Sequence, residues 1–268
     1  MDNRQNMNVF DTSPLDFAKL VESETSLGSS SHGTLSRQAV ETQNFEIHGT
    51  TVLALRYNEG ILLLADRRAT AGNLIMYDQA EKIMALDDQT VVAISGAFAR
   101  SVEVCRMLKH SFKYYRRTTL IPMSMDGKLM EISRSLADNA PAAMQGIGLF
   151  LPIVAAYDVK KDSFGVYFFD GAGARFQNGE YACAGSGSER IRGVFEYITR
   201  EKGRFDERKV EDVLMDGLKM LDIAADLDSA TGGFGKTLPV VRVLDRNGNR
   251  PIDESKLQEM TSAILGRS

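Results

Sequence analysis

What most constrains the fold of this chain is a change of texture at Thr50. Residues 1–46 are rich in Ser, Thr, Asn and Gln, include the tract Ser29-Ser30-Ser31 and carry no sustained periodicity. From Thr50 onward, β-rich blocks alternate with pairs of long helical patterns. Runs at 51–57 and 61–66 are separated by Asn58-Glu59-Gly60, a hairpin signal. Further strand-like runs lie at 74–77, 82–85 and 90–95. Helical patterns follow at 100–117 and 126–144, the second carrying Pro141, a residue that kinks or ends helices. Strands return at 150–159, 164–169 and 181–184, then helices at 188–202 and 207–225, a strand at 238–244 and a last helix at 254–265. Strands, two helices, strands and two helices in that order predict an α+β domain with helices outside two sheets.

The leader also differs in charge. Residues 1–49 hold seven acids and three bases, so they carry the whole net charge of -4, and residues 50–268 hold 29 of each sign. A polar, acidic segment of this kind reads as a tail and not as a domain. The remainder excludes several functions. At 268 residues the chain buries roughly 70–75% of its unfolded surface without a disulfide or metal staple. Its two cysteines, Cys105 and Cys183, suit a reducing, cytoplasmic setting. No apolar run is long enough to span a bilayer, and the N-terminus has no basic flank followed by an apolar signal segment. A chain without excess positive charge offers no field for nucleic acid. Only three histidines are present, His32, His48 and His110, and the first two lie in the leader. A hydrolase with so few imidazoles needs a different base, and a zinc site lacks ligands.

Three Gly-rich segments resemble phosphate cradles. Thr231-Gly232-Gly233-Phe234-Gly235-Lys236-Thr237 ends like a P-loop, but position 230 is Ala where that motif needs Gly, and a strand-like run follows where it needs a helix. Gly171-Ala172-Gly173-Ala174 reads as a turn between strands. Gly185-Ser186-Gly187-Ser188 ends a strand and opens a helix, so its amides can orient a site, or simply form a capped turn.

The chemistry is carried by Gly49-Thr50, where the leader meets the first strand. A Thr freed at its N-terminus supplies its own base, because the α-amine accepts the hydroxyl proton and titrates near pH 8. Gly49 lacks a Cβ, so its carbonyl can approach that hydroxyl. Asp66 lies 16 residues beyond Thr50 and Lys82 lies 32 beyond it. With the first strands adjacent, both converge on Thr50: a cation there disfavours a protonated amine and stabilises an alkoxide, and Asp66 keeps the Lys82 cation oriented. The other reading of the pair is a surface ion pair of little energy. The second His-Gly-Thr, His32-Gly33-Thr34, lacks both partners at these spacings and has no strand after it.

Taken in order, Gly49-Thr50-Thr51-Val52, Ala65-Asp66-Arg67-Arg68-Ala69-Thr70-Ala71-Gly72-Asn73, Glu81-Lys82, Ile94-Ser95-Gly96, Ala142-Ala143-Met144-Gln145-Gly146, Gly185-Ser186-Gly187-Ser188 and Asp228-Ser229-Ala230-Thr231-Gly232-Gly233 resemble the catalytic β-subunit of a proteasome core particle, most of all its bacterial, actinobacterial-type branch. The resemblance implies an N-terminal-nucleophile hydrolase fold, a four-layer αββα sandwich of two antiparallel sheets between helices. It implies a propeptide over 1–49, cut at Gly49-Thr50, and a catalytic domain over 50–268. It implies Thr50 as nucleophile and base, Asp66 and Lys82 as the charged pair beneath it, and Gly96 as the oxyanion amide. Ser186, Asp228 and Thr231 match residues that orient the terminal amine, Thr231 standing where many relatives carry Ser. Thr70 matches a backbone contact for an extended substrate. Ala69, Ala80, Met84, Ile94, Phe98 and Val102 match the pocket for the residue before the scissile bond; none is charged, so the expectation is chymotrypsin-like cleavage, although an apolar set also fits any core. The resemblance further implies no cofactor, β-subunits in seven-membered rings capped by α-subunit rings, a regulatory ATPase feeding unfolded protein, and neither a nucleic-acid nor a membrane partner. Three rivals stay open: another amidase or two-ring protease of this fold, a catalytically silent ring subunit, and a nucleotide-binding module.

Overall fold

The computed structural model describes residues 49–72, 74–145 and 148–266. Residues 1–48 of the leader, with His32-Gly33-Thr34 and His48, lie outside the described residues, as do Asn73 and Gly146. Twelve strands and five α-helices follow one another in the described part. They are β1 (Thr51–Tyr57), β2 (Gly60–Ala65), β3 (Ala69–Ala71), β4 (Leu74–Tyr77), β5 (Ile83–Asp87), β6 (Thr90–Ala93), α1 (Phe98–Thr119), α2 (Met125–Met144), β7 (Ile153–Asp158), β8 (Ser163–Phe169), β9 (Arg175–Asn178), β10 (Tyr181–Gly185), α3 (Ser188–Lys202), α4 (Val210–Leu227), β11 (Val240–Asp245), β12 (Gly248–Pro251) and α5 (Glu254–Leu265). A 3-10 turn at Phe205–Glu207 precedes α4.

The strands make two five-stranded sheets, β10-β1-β2-β11-β12 and β5-β6-β7-β8-β9, plus the small pair β3-β4. Every pairing is antiparallel. Alternation within β1 and β2 decides the layering, because successive side chains point to opposite faces. Val52, Ala54, Ile61, Leu63 and Ala65 meet Val91, Ala93, Ile153 and Val166 of the second sheet in one core. Leu53, Leu55, Leu62 and Leu64 point the other way, onto Phe195 of α3, Leu214 and Leu221 of α4 and Leu257 of α5. The outer face of the second sheet, with Val92 and Val154, packs on Val104 and Leu108 of α1 and Ile132 and Leu136 of α2. Buried on both faces, residues 52–55 of β1 and 61–65 of β2 read as unbroken apolar runs instead of alternating ones. The result is the expected α+β sandwich of two antiparallel sheets flanked by helices.

Pro141 neither ends nor breaks α2; it sits in the last turn of a helix that continues to Met144. The segment after Lys236-Thr237 enters β11, not a helix, which removes the P-loop reading. Gly171 to Ala174 is the β8–β9 turn, held by Asp170, whose Oδ1 accepts from the amides of Ala172 at 3.0 Å and Ala174 at 2.8 Å.

Candidate active site

The β1–β2 hairpin pairs Val52 with Ala65, so the first residues of β1 and the residue just after β2 meet at one end of the first sheet. Asp66 stands there, 1% exposed, and each carboxylate oxygen takes two donors. Oδ1 accepts from Lys82 Nζ at 2.7 Å and from the Thr51 amide at 2.8 Å. Oδ2 accepts from the amides of Arg68 and Gly232, both at 2.9 Å. Lys82 enters from the start of β5 and is fully buried. Its Nζ also donates to the Gly49 carbonyl at 3.2 Å, the same oxygen to which Thr50 Oγ1 donates at 2.6 Å. The nucleophile candidate and the buried amine thus meet on the carbonyl of the Gly49-Thr50 bond. Burial pulls the Lys82 ammonium below its ordinary range, and the adjacent Asp66 carboxylate opposes that shift without cancelling it.

A second set of groups closes the other side of Thr50. The turn from β10 into α3 brings the Ser186 amide to the Thr50 carbonyl at 2.9 Å. Ser186 Oγ donates to Asp228 Oδ2 at 2.6 Å, and Thr231 Oγ1 donates to the same oxygen at 2.6 Å. Asp228 caps the end of α4, where the chain turns back with Thr231 N on the Asp228 carbonyl at 3.0 Å. Burial raises the Asp228 carboxyl, but the hydroxyls of Ser186 and Thr231 and the Ala230 amide outweigh it and hold the group below the usual carboxylate range.

Gly96 follows β6 with φ +95°, a conformation that favours glycine, and a Cβ there would lie 2.1 Å from the Leu149 carbonyl oxygen. Its bridge to Phe150 is made by the flanking residues, Leu151 N to Ser95 O at 3.0 Å and Ala97 N to Leu149 O at 2.7 Å. The Gly96 amide is consequently not spent on that bridge. A cavity of about 640 Å³ opens here, lined by Ser95, Gly96, Phe168, Cys183 and Ser186 among others.

Of the expected pocket residues, Ile94 is buried with Met84, Phe98 and Val102 packed on the same cluster between β5, β6 and α1. Ala69, on β3, and Ala80 are buried as well, and Ala80 N donates to the Arg67 carbonyl at 2.9 Å. Thr70 is buried beside Gly49, at a register shift in β3. His110 is exposed on α1, away from this constellation.

Comparison with known proteins identifies the family. The model for proteasome subunits matches residues 47–236. The chain belongs to the proteasome subunit family. It is 32% identical over 250 residues to a "Proteasome subunit beta" of Acidimicrobium ferrooxidans, covering 91% of this chain and 87% of the relative. It is 31% identical over 225 residues to a "Proteasome subunit beta" of Jonesia denitrificans, covering 83% and 72%, and 32% identical to that of Acidothermus cellulolyticus, covering 81% and 76%. It is thus a bacterial β-subunit, a protease subunit of a multi-subunit core.

Within this β-subunit, three residues join the site that spacing arguments overlooked. Arg68 crosses from the β2–β3 connection to the Asp228–Gly233 loop, its Nη1 donating to the carbonyls of Ser229 at 3.1 Å and Thr231 at 3.2 Å. Asp78 anchors the Arg68 Nε at 3.1 Å. Thr51, next to Thr50, is fully buried and makes three polar contacts of its own. Among the described residues, no group of His, Cys, Asp and Glu is placed to hold a metal ion, and no helix is long and apolar enough to cross a membrane.

Proposed function

We propose that this β-subunit is a threonine endopeptidase that activates itself. Thr50 Oγ attacks the Gly49 carbonyl carbon, the Oγ–C bond forms, the Gly49–Thr50 C–N bond breaks, and the hydroxyl proton ends on the departing Thr50 nitrogen. Water then hydrolyses the ester, releasing residues 1–49 as propeptide and leaving Thr50 with a free α-amine. In peptide hydrolysis that amine takes the Thr50 hydroxyl proton as Oγ bonds to the substrate carbonyl carbon, passes it to the leaving amine as the substrate C–N bond breaks, and water then hydrolyses the acyl ester and restores the Thr50 hydroxyl. Asp66 holds Lys82, Gly96 donates to the oxyanion, a term worth roughly 3–4 kcal/mol in comparable acyl transfers, and Ser186, Asp228 and Thr231 orient the amine. The substrate pairs as an added strand at Thr70, its side chain before the scissile bond lying on Ala69, Ala80, Met84, Ile94, Phe98 and Val102, so that cleavage follows apolar residues. The particle is cytoplasmic, with seven β-subunits per ring between α-rings, and takes unfolded protein from an ATPase.

The observation that carries this reading is the convergence of Thr50 Oγ1 and Lys82 Nζ on the Gly49 carbonyl oxygen, above an Asp66 whose four contacts fix the amine beneath it. The test is N-terminal sequencing and intact mass of the chain co-expressed with its α-partner. We expect a new terminus at Thr50, abolished with peptidase activity in Thr50→Ala. Assembled particles that cleave peptides while every chain retains its leader would sink the mechanism, because an acylated amine is no base.

A further inference from the structure

The hydroxyl of Thr51 has its hydrogen bonds fixed in direction by elimination. Thr51 Oγ1 lies 2.6 Å from Thr231 Oγ1 and accepts from the Gly187 amide at 3.1 Å. A hydroxyl has one proton to give. Thr231 gives its proton to Asp228 Oδ2 at 2.6 Å, so the proton between the two threonines comes from Thr51. The bonds therefore run one way, from Gly187 N–H to Thr51, to Thr231 and to Asp228, where the Ser186 hydroxyl arrives from the other side at 2.6 Å. Bonds aligned head to tail strengthen one another. The chain is built to close tolerance: a Cβ on Gly187 would lie 2.4 Å from Thr51 Oγ1 and 2.8 Å from Thr231 Oγ1, and Thr51 and Thr231 are both fully buried.

We propose that Thr51 is a positioning residue for the peptidase reaction, its hydroxyl fixing the Thr231 rotamer and holding the Thr231 proton on Asp228, so that the freed Thr50 amine faces one defined set of acceptors. The inference rests on Thr50 being the nucleophile and base. Without the Thr51 proton, the Thr231 oxygen regains a lone pair and Asp228 loses part of its compensation. Both changes favour a protonated Thr50 amine. The charged groups around this chain are Asp66, Lys82 and Arg68 on the β2–β5 side, Asp228 itself and Arg190 of α3. A substitution at position 51 replaces none of these side chains and acts on Asp228 only through the Thr231 hydroxyl.

The test uses assembled particles of the full chain with its α-partner, after sequencing shows Thr50 exposed. In Thr51→Val, kcat on an apolar fluorogenic peptide is expected to fall roughly tenfold with KM within about twofold. The acid limb of kcat/KM is expected to move up by about half a pH unit, and Thr51→Ser should restore both. In a Thr231→Val background, Thr51→Val should cost nothing further. An unchanged kcat and pH profile in Thr51→Val would overturn the proposal, as would failure of Thr51→Ser to restore them. If Thr51→Val does not assemble, Thr51→Cys, of similar size but a weak donor, carries the same expectations and the same overturning result. Activity persisting in Thr50→Ala would instead remove the underlying reading, whatever position 51 does.

Discussion

Gly49 occupies a position where no side chain fits. A Cβ there would lie 2.2 Å from Thr70 Oγ1 and 2.9 Å from the Ala230 carbonyl oxygen. The Thr70 hydroxyl can rotate away; the Ala230 backbone, tied into the Asp228 turn, cannot follow. Alanine at 49 therefore pushes the Gly49 carbonyl, proposed as the scissile one, off Thr50 Oγ1 and Lys82 Nζ. An overpacking cost of about 1–3 kcal/mol slows formation of the Thr50 terminus by roughly tenfold or more, read by intact mass over time after assembly. Processing of Gly49→Ala at the unaltered rate would show that the close fit has no bearing on the cleavage. Residues at this scale were legible in sequence where chemistry and hairpin geometry agreed. Thr50, Asp66 and Lys82 are charged or nucleophilic groups at strand ends, and antiparallel pairing of β1 with β2 brings strand ends together. Arg68 escaped notice because its partners are main-chain carbonyls some 160 residues away, at Ser229 and Thr231. Thr51 escaped because a second threonine beside the proposed nucleophile reads as ordinary β-sequence until its hydroxyl is seen to face Thr231.

At the scale of elements, the α3–α4 layer is tied by Asp216, whose side chain is 3% exposed. It takes Lys202 Nζ at 2.6 Å from the end of α3 and Arg208 Nη2 at 2.5 Å from the connection into α4. Burial raises the Asp216 carboxyl, yet the two cations prevail and hold it below its ordinary value. A carboxyl depressed in the folded state binds fewer protons there than in the unfolded chain. Its stabilisation is complete above the unfolded value near pH 4 and is lost as pH falls through the folded one. Asp216→Asn should therefore lower stability at pH 7 by about 3 kcal/mol, the low end for breaking a buried pair because Lys202 is half exposed. The gap between wild type and variant should narrow as the pH is brought below 4. Thermal unfolding at pH 7 and pH 3 checks this; equal gaps at both values would remove the charge from the explanation. Elements themselves were readable where periodicity ran long, as in α1 to α5 and the paired strands of the two cores. Three short strands were not. β3 is Ala-Thr-Ala after two arginines, β9 is polar, and β12 is Gly-Asn-Arg-Pro, a turn-like composition; each is held by its neighbour's backbone, β12 by a four-residue register with β11. The residues just before α4 read as helix because the 3-10 turn shares helical composition.

For the whole molecule, the clearest mismatch between chain and solvent is β4. Its four consecutive residues Leu74, Ile75, Met76 and Tyr77 are 64%, 44%, 53% and 56% exposed. A strand beside one core hides alternate residues; this one hides none, and a two-stranded ribbon is marginal by itself. An apolar strip of this kind marks a contact surface, and for a subunit of a multi-subunit protease the expected occupant is a neighbouring subunit. The ribbon also bears on the site. β3, its partner, carries Ala69 and Thr70, and Ala69 pairs directly with Tyr77, so a neighbour clamping β4 would fix the strand along which substrate is proposed to lie. No periodicity in the sequence announces this, because Leu-Ile-Met-Tyr reads equally well as a core strand; only its place outside both five-stranded sheets makes it a surface. Met76→Asp should leave the unfolding temperature of the isolated chain within a few degrees, since an exposed substitution changes stability by only about 0.5 kcal/mol. It should at the same time deplete the fully assembled particle in native mass spectra of the co-expressed chains, and with it Thr50 processing and peptide hydrolysis. Full assembly of Met76→Asp with wild-type processing would mean that β4 faces solvent in the particle, and the ribbon would then owe its order to the Arg68–Asp78 ion pair at 3.1 Å and not to a neighbour.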